Sequence, residues 1–203
     1  MSKAIIKIDW CSHAAATYAV KNYHYSQRMP SGKLVKFGAW EDGKFIGAVI
    51  YGSGATPRIG RPFNINQGQI CELVRVALTD HRTPTSKIVA ITLKILRKTF
   101  DKLKMVVSFA DSSQGHIGIL YQAGGWLFVG SAEYHAFVVN GVTYHPRTLG
   151  ARYGVGGQSV QWLQEHVDPS AKRIQSGIKH KYIKVFDRSI LDRIKIQPYP
   201  KAL

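Results

Sequence analysis

Short alternating runs of apolar and polar residues, separated by turn formers, predict a chain of strands and helices. Residues 4–8 alternate Ile with Lys and read as a short strand. Ser12 offers a hydroxyl to cap a helix through Asn22, where Ala14, Ala15 and Ala16 raise helical propensity. Residues 34–40 and 44–51 are rich in β-branched and aromatic side chains. Glu41-Asp42-Gly43 between them predicts an antiparallel hairpin with Gly43 at positive φ. In residues 69–78, Ile70, Glu72, Val74 and Val76 alternate with Cys71, Leu73, Arg75 and Ala77, so Glu72 and Arg75 are expected on opposite faces of a strand. Thr83-Pro84 then reads as an N-cap with proline at the first helical position, opening an apolar helix to about Phe100.

The second half continues the pattern. Residues 105–110 predict a buried strand, Asp111-Ser112-Ser113 a helix start, and residues 114–123 a helix stopped by Gly124-Gly125. Strands follow at residues 126–130 and 134–139, and Asn140-Gly141 is a strong hairpin signal. Beyond Gly150 come a glycine-rich turn, a short helix at residues 158–166 and a basic edge strand at residues 179–186.

Charge changes the picture. Lys and Arg number 28 against 12 Asp and Glu, a net +16 that calls for a polyanionic partner. No basic amphipathic stretch or lipidation signal accompanies it, which favours nucleic acid over a membrane surface. Cys11 and Cys71 have neither disulfide-framework nor zinc-site spacing, and the N-terminus is too polar for a signal peptide, so a reducing cytoplasm is expected.

Two loops concentrate chemistry. Residues 23–33 bring together Tyr23, His24, Tyr25, Ser26, Arg28 and Lys33, where Pro30 and Gly32 forbid helix; residues 52–68 carry Arg58 and Arg61. Tyr23, Tyr25, Trp40, Phe63 and Trp126 are either stacking platforms for bases or core aromatics. Asp111, at a strand end before a helix start, is either a carboxylate exposed to a ligand or a helix cap. Arg75 is an anion-binding candidate or half of a buried ion pair, and Ser108 a polar site residue or a hydroxyl satisfied by backbone. His24, His116 and Asp111 make up the two-histidine, one-carboxylate set that ligates non-haem iron.

The segments Glu72-Leu73-Val74-Arg75-Val76-Ala77-Leu78, Arg82-Thr83-Pro84-Thr85-Ser86, Ser108-Phe109-Ala110-Asp111 and Leu120-Tyr121-Gln122-Ala123-Gly124 resemble the second half of a GCN5-related acyltransferase. That resemblance implies a mixed, mostly antiparallel sheet flanked by helices, an α/β fold. It also implies a general acid at Tyr121 and a donor site around Arg75, Thr85, Ser86 and Ser108. Where such enzymes carry a glycine-rich loop for coenzyme A diphosphate, this chain has Arg82-Thr83-Pro84-Thr85-Ser86, and the proline removes one amide.

A closer resemblance spans roughly residues 23–130. Tyr-His-Tyr-Ser, Met-Pro-Ser-Gly-Lys, Phe-Gly-Ala-Trp-Glu, Glu-Leu-Val-Arg-Val-Ala-Leu and Ser-Phe-Ala-Asp with Gln-Gly-His look like the phage Mom family. It implies a transferase that converts adenine in double-stranded DNA to N6-carbamoylmethyladenine inside the bacterial host, shielding DNA from restriction. Under it, Asp111, Tyr121, His24, Tyr25 and Ser26 are the expected catalytic residues. Tyr23, Arg28, Lys33, Arg58, Arg61, Gln114, His116, Lys179 and Lys181 are the expected DNA contacts. The expected donor is glycyl-tRNA, or acetyl-coenzyme A assisted by iron. Residues 1–150 would form the catalytic domain and residues 151–203 a basic extension packed on it. A transferase acting on RNA or a protein amine, and a non-catalytic DNA-binding protein, are the alternatives.

Overall fold

The computed structural model describes residues 4–54, 56 and 58–201. Strand β1 (Ile6–Trp10) leads to helix α1 (His13–Tyr23), whose N-terminus is capped by Ser12 accepting from the Ala15 amide at 3.1 Å. β2 (Leu34–Glu41) and β3 (Lys44–Gly52) form the expected hairpin, with Asp42 and Gly43 both at positive φ (49° and 81°), as a tight two-residue turn requires. β4 (Ile70–Leu78), α2 (Thr85–Thr99) and β5 (Met105–Asp111) follow, then α3 (Ile119–Ala123), β6 (Leu127–Val139) and β7 (Val142–Tyr144). The last two strands turn at Asn140 and Gly141 (φ 48° and 74°). α4 (Pro146–Tyr153), α5 (Val160–His166) and β8 (Lys172–Val185) come next.

The strands form an eight-stranded sheet in the order β1-β2-β3-β4-β5-β8-β6-β7. β1 to β4 pair antiparallel in succession, β4 and β5 run parallel, and β6 and β7 are antiparallel. The fold is therefore α/β with a mixed, mostly antiparallel sheet.

Four local expectations are corrected. The helix expected at residues 114–123 is only the five residues of α3, because Gly115 and Gly118 adopt positive φ (69° and 89°) and break the helical path. α2 begins at Thr85, one residue later than the Thr83 cap implied, and Thr83 spends its amide elsewhere. β6 is one strand of 13 residues rather than two. β8 is not an edge strand: it lies between β5 and β6, and Tyr182 and Ile183 are completely buried.

The chain divides into two compact units, interleaved in sequence. The first comprises residues 1–109, 118–130 and 181–203; the second comprises residues 110–117 and 131–180. In the first, α1 packs Ala16, Ala19 and Val20 against Ala48, Ile50 and Ala77 of the sheet. A second cluster there joins Phe63, Ile70, Met105 and Val107 to Ile183, Ile190 and Ile194. The second unit has its own core of Phe137, Val139, Leu149, Leu163 and Ala171.

Candidate active site

In the first unit, the site residues gather at an irregularity of β4. Ile50 of β3 faces Arg75, but the next residue, Tyr51, faces Leu73, so Val74 is an extra residue, a β-bulge. The bulge interrupts the alternation from which Glu72 and Arg75 were expected to face apart, and the Tyr25 and Glu72 fields both favour the Arg75 cation. Burial works against that cation and lowers its pKa. The guanidinium donates to the Val74 carbonyl at 2.7 Å and reaches the Arg28 carbonyl at 3.5 Å. Its Nε is buried without a hydrogen-bond partner among the described residues.

Ser108 is buried below this point, with Oγ 2.8 Å from the Leu73 carbonyl oxygen and 2.7 Å from Tyr121 Oη. A carbonyl can only accept and a serine has one proton, so Ser108 donates to Leu73 and the Tyr121 hydroxyl donates to Ser108. Desolvation pushes the Tyr121 pKa up to about 12, opposed by Ser108 and reinforced by the Tyr25 and Glu72 fields. Tyr121 thus keeps its proton at neutral pH. Its ring stacks on Tyr182 at 5.1 Å, and Tyr182 accepts from Gln122 at 3.1 Å. Gly118 makes room: a Cβ there would lie 2.3 Å from the Tyr182 ring.

His24 and Ser26 form a local pair. The Ser26 amide donates to His24 Nδ1 at 3.1 Å and the Ser26 hydroxyl lies 2.9 Å from the same nitrogen, which assigns the ring proton to Nε2. The ring of Tyr25, 55% exposed, lies 4.3 Å from that of His24. Tyr23 packs against the α1 core instead, edge-on to Tyr18 at 5.8 Å. Phe63 and Trp126 are core residues, which removes them from the stacking candidates.

At the start of α2, Glu41 dominates. This carboxylate, 7% exposed, accepts the Thr83 amide on Oε1 (2.8 Å) and the Arg82 amide on Oε2 (2.9 Å). Those bonds, the Arg82 amide foremost and then the Thr83 hydroxyl, hold its pKa down at about 2. The Arg82 guanidinium pairs with Asp42 and lies 3.8 Å from Glu41. Thr85 donates its hydroxyl to His81 Nε2 at 3.1 Å while His81 Nδ1 donates to the Thr79 carbonyl at 2.7 Å. Arg28, Lys33, Arg58 and Arg61 are exposed, and Lys181, half-buried, lies 4.6 Å above the Phe63 ring.

The second unit builds its own cluster on Asp111, which caps the turn after β5. Asp111 Oδ1 accepts the Ser113 amide at 3.0 Å and the Ser113 hydroxyl at 2.8 Å. The Tyr134 hydroxyl lies 3.0 Å from both carboxylate oxygens. The single Tyr134 proton is shared between the two carboxylate oxygens. Lys179 sits 4.6 Å above the Tyr134 ring, and Ser112 accepts the Ile178 amide at 2.9 Å. Gln114 and His116 are exposed beside it, the His116 amide bonded to the Asp111 carbonyl at 3.2 Å.

The iron set is not assembled: among the described residues no three of His, Cys, Asp and Glu come together to hold a metal. His24 Nδ1 is taken by Ser26, and the Asp111 carboxylate by Ser113 and Tyr134.

Residues 5–201 match the Mom protein family. The chain belongs to the Mom family. It is 27% identical over 206 residues to "Methylcarbamoylase mom" of Escherichia phage Mu, an alignment covering 97% of this chain and 84% of that protein. Its fold is shared with Arabidopsis thaliana NAA60, solved in complex with a bisubstrate analogue (TM-score 0.53, 9% identity, 90% of this chain and 100% of that one). It is also shared with a probable acetyltransferase of the GNAT family from Chromobacterium violaceum (TM-score 0.51, 10% identity, 95% of this chain and 87% of that one). This Mom-family chain thus has an acetyltransferase fold.

Three residues escaped the sequence reading. Tyr134 reaches Asp111 across 23 positions and Glu41 reaches Thr83 across 42, and no local pattern marks either pairing. His81 alone stood close enough to Thr85 to be found by spacing.

Proposed function

We propose that this chain is a DNA-modifying transferase that converts adenine in DNA to N6-carbamoylmethyladenine and so protects phage DNA from restriction. The observation that carries the reading is the match along nearly the whole chain to the Mom family and to a methylcarbamoylase, on a fold shared with acetyltransferases. Charge supports a nucleic-acid substrate. Most Lys and Arg lie in the first unit; the second has Arg147, Arg152, Lys172, Arg173 and Lys179 against Asp111, Glu133, Glu165 and Asp168.

The chemistry is acyl transfer followed by isomerisation. The adenine amino nitrogen attacks the carbonyl of a glycyl ester, the ester C–O bond breaks, and the carrier leaves as an alcohol. The glycyl amine then attacks the ring carbon that bore the amide, whose C–N bond breaks. The original adenine nitrogen becomes the carboxamide, and no atom is gained or lost in this second step. Tyr121, protonated at neutral pH, gives its proton to the leaving oxygen. Ser108 can turn its own proton from the Leu73 carbonyl to the resulting phenolate, a relay already within 2.7 Å. Arg75, with its unpartnered Nε, holds the donor's developing negative charge, and Thr85 and Ser86 at the start of α2 serve the donor site. Tyr25 stacks on a base displaced from the duplex. Arg28, Lys33, Arg58, Arg61, Lys179 and Lys181 contact phosphates.

The test is mass spectrometry of nucleosides from plasmid DNA in cells expressing the protein. A deoxyadenosine heavier by a glycyl increment, strongly reduced with Tyr121→Phe, is expected. Unaltered DNA with soluble protein moves the acceptor to RNA or a protein amine, or leaves only binding. Labelled glycine entering the mark supports the glycyl donor; its exclusion favours acetyl-coenzyme A.

A further inference from the structure

The loop that opens α2 is where an acetyltransferase fold would be expected to hold the diphosphate of a nucleotide-linked donor, and in this chain it already holds an anion. The Arg82 and Thr83 amides converge on one carboxylate, one oxygen each, at 2.9 and 2.8 Å. Pro84 has no amide to offer, and the Lys87 and Ile88 amides bond back to the Pro84 carbonyl at 2.9 and 3.2 Å. Only Thr85 and Ser86 remain at this helix end, and the Thr85 hydroxyl is committed to His81. The local cation is spent as well, since Arg82 pairs with Asp42 and lies beside Glu41.

Two carboxylates therefore surround one guanidinium at this turn, in a chain whose net charge is +16. An entering diphosphate would meet like charge and would have to expel Glu41, which is 7% exposed and held by the Arg82 and Thr83 amides. Coenzyme A does not fit the residues present.

We propose that Glu41 is a built-in anion that fills the amide cradle at the start of α2 and makes the enzyme select against acyl donors carried on a nucleotide diphosphate. The donor is instead an acyl ester whose carrier presents no diphosphate to this turn. This rests on the transferase reading above and narrows its donor class.

The experiment is a titration of the full-length protein, labelled with nitrogen-15 and carbon-13, with coenzyme A, and separately with inorganic diphosphate, at physiological salt. The Arg82 and Thr83 amide resonances and the Glu41 carboxyl resonance are followed. Both amides are expected to stay in place up to millimolar ligand, even where weak ionic attraction moves surface lysines. In Glu41→Gln the charge is gone, and inorganic diphosphate is expected to move those amides with at least tenfold higher affinity than in the wild type. Saturable movement of Arg82 and Thr83 by micromolar coenzyme A in the wild-type protein, with Glu41 displaced, overturns the proposal without needing any variant. A folded Glu41→Gln protein with no gain in diphosphate binding overturns it too. Absence of any nucleoside mark would sink the transferase reading, whereas the titration still reports on Glu41.

Discussion

Ser108→Ala and Tyr121→Phe remove neighbouring hydroxyls, yet the proton arithmetic makes them unequal. In Tyr121→Phe, Ser108 still donates to the Leu73 carbonyl 2.8 Å away, so the loss is one hydrogen bond, about 0.5–1.5 kcal/mol. Ser108→Ala takes away both the acceptor of the Tyr121 proton and the donor to Leu73, at a site 1% exposed. Each polar group left unpaired in the interior costs about 1–3 kcal/mol, so the sum is about 2–6 kcal/mol. At the midpoints of these ranges serine is the more damaging loss by about 3 kcal/mol, more than about a hundredfold in the unfolding constant. Urea denaturation of the two variants and the double variant, with m-values checked for constancy, measures this. Activity should order the other way: Tyr121→Phe loses the proposed acid itself, a drop of about 10²–10⁴, while Ser108→Ala loses only the proposed relay. Equal destabilisation by the two single variants would refute the assignment, because it would mean that Tyr121 sends its proton elsewhere.

Other outcomes follow from the geometry. Glu41 has a folded pKa held near 2, below an unfolded value of about 4.3, so its stabilisation is full above the unfolded value and is lost as pH falls toward 2. Glu41→Gln should flatten the stability profile across that window, read by thermal melts at stepped pH. Gly118→Ala drives a methyl into Tyr182 at a backbone φ of +89°, and should cost about 2–4 kcal/mol and alter the near-ultraviolet signal of the Tyr121–Tyr182 stack. On α2, Lys87, Lys94 and Lys98 are exposed and fall within about 40° of arc, so they form a stripe on one side of the helix. Replacing all three by Gln should lower the salt slope of DNA binding by about 2–3, measured by anisotropy across salt concentrations, while the fold is retained.

What could be read from the sequence was local. Ser12 capping α1, the Asp42-Gly43 and Asn140-Gly141 turns, and the apolar face of α2 depend on residues close in the chain, and each is where the pattern put it. What could not be read depends on partners far away. The bulge at Val74 exists only relative to β3, and no local pattern in β4 marks it. The lysines of β8 suggested an exposed edge, but Tyr182 and Ile183 between them bury the strand; Lys184 reaches the Gly124 carbonyl at 2.8 Å. Asp111 was legible as a cap, whereas the Tyr134 hydroxyl that shares its carboxylate was not.

The cluster that joins Phe63 and Met105 to Ile183, Ile190 and Ile194 bears on synthesis. A ribosome adding about 5–20 residues per second needs on the order of 10 s to go from the middle of the chain to that last segment. Until then the apolar faces of β4 and β5 lack their cover and are open to aggregation or to a chaperone. Closure of this core is a late event of high contact order, so the activity is delivered as a completed chain rather than accumulating as it emerges. Trimming back past Ile183 should therefore abolish folding of the first unit, and slowing translation late in the message should lower soluble yield more than slowing it early.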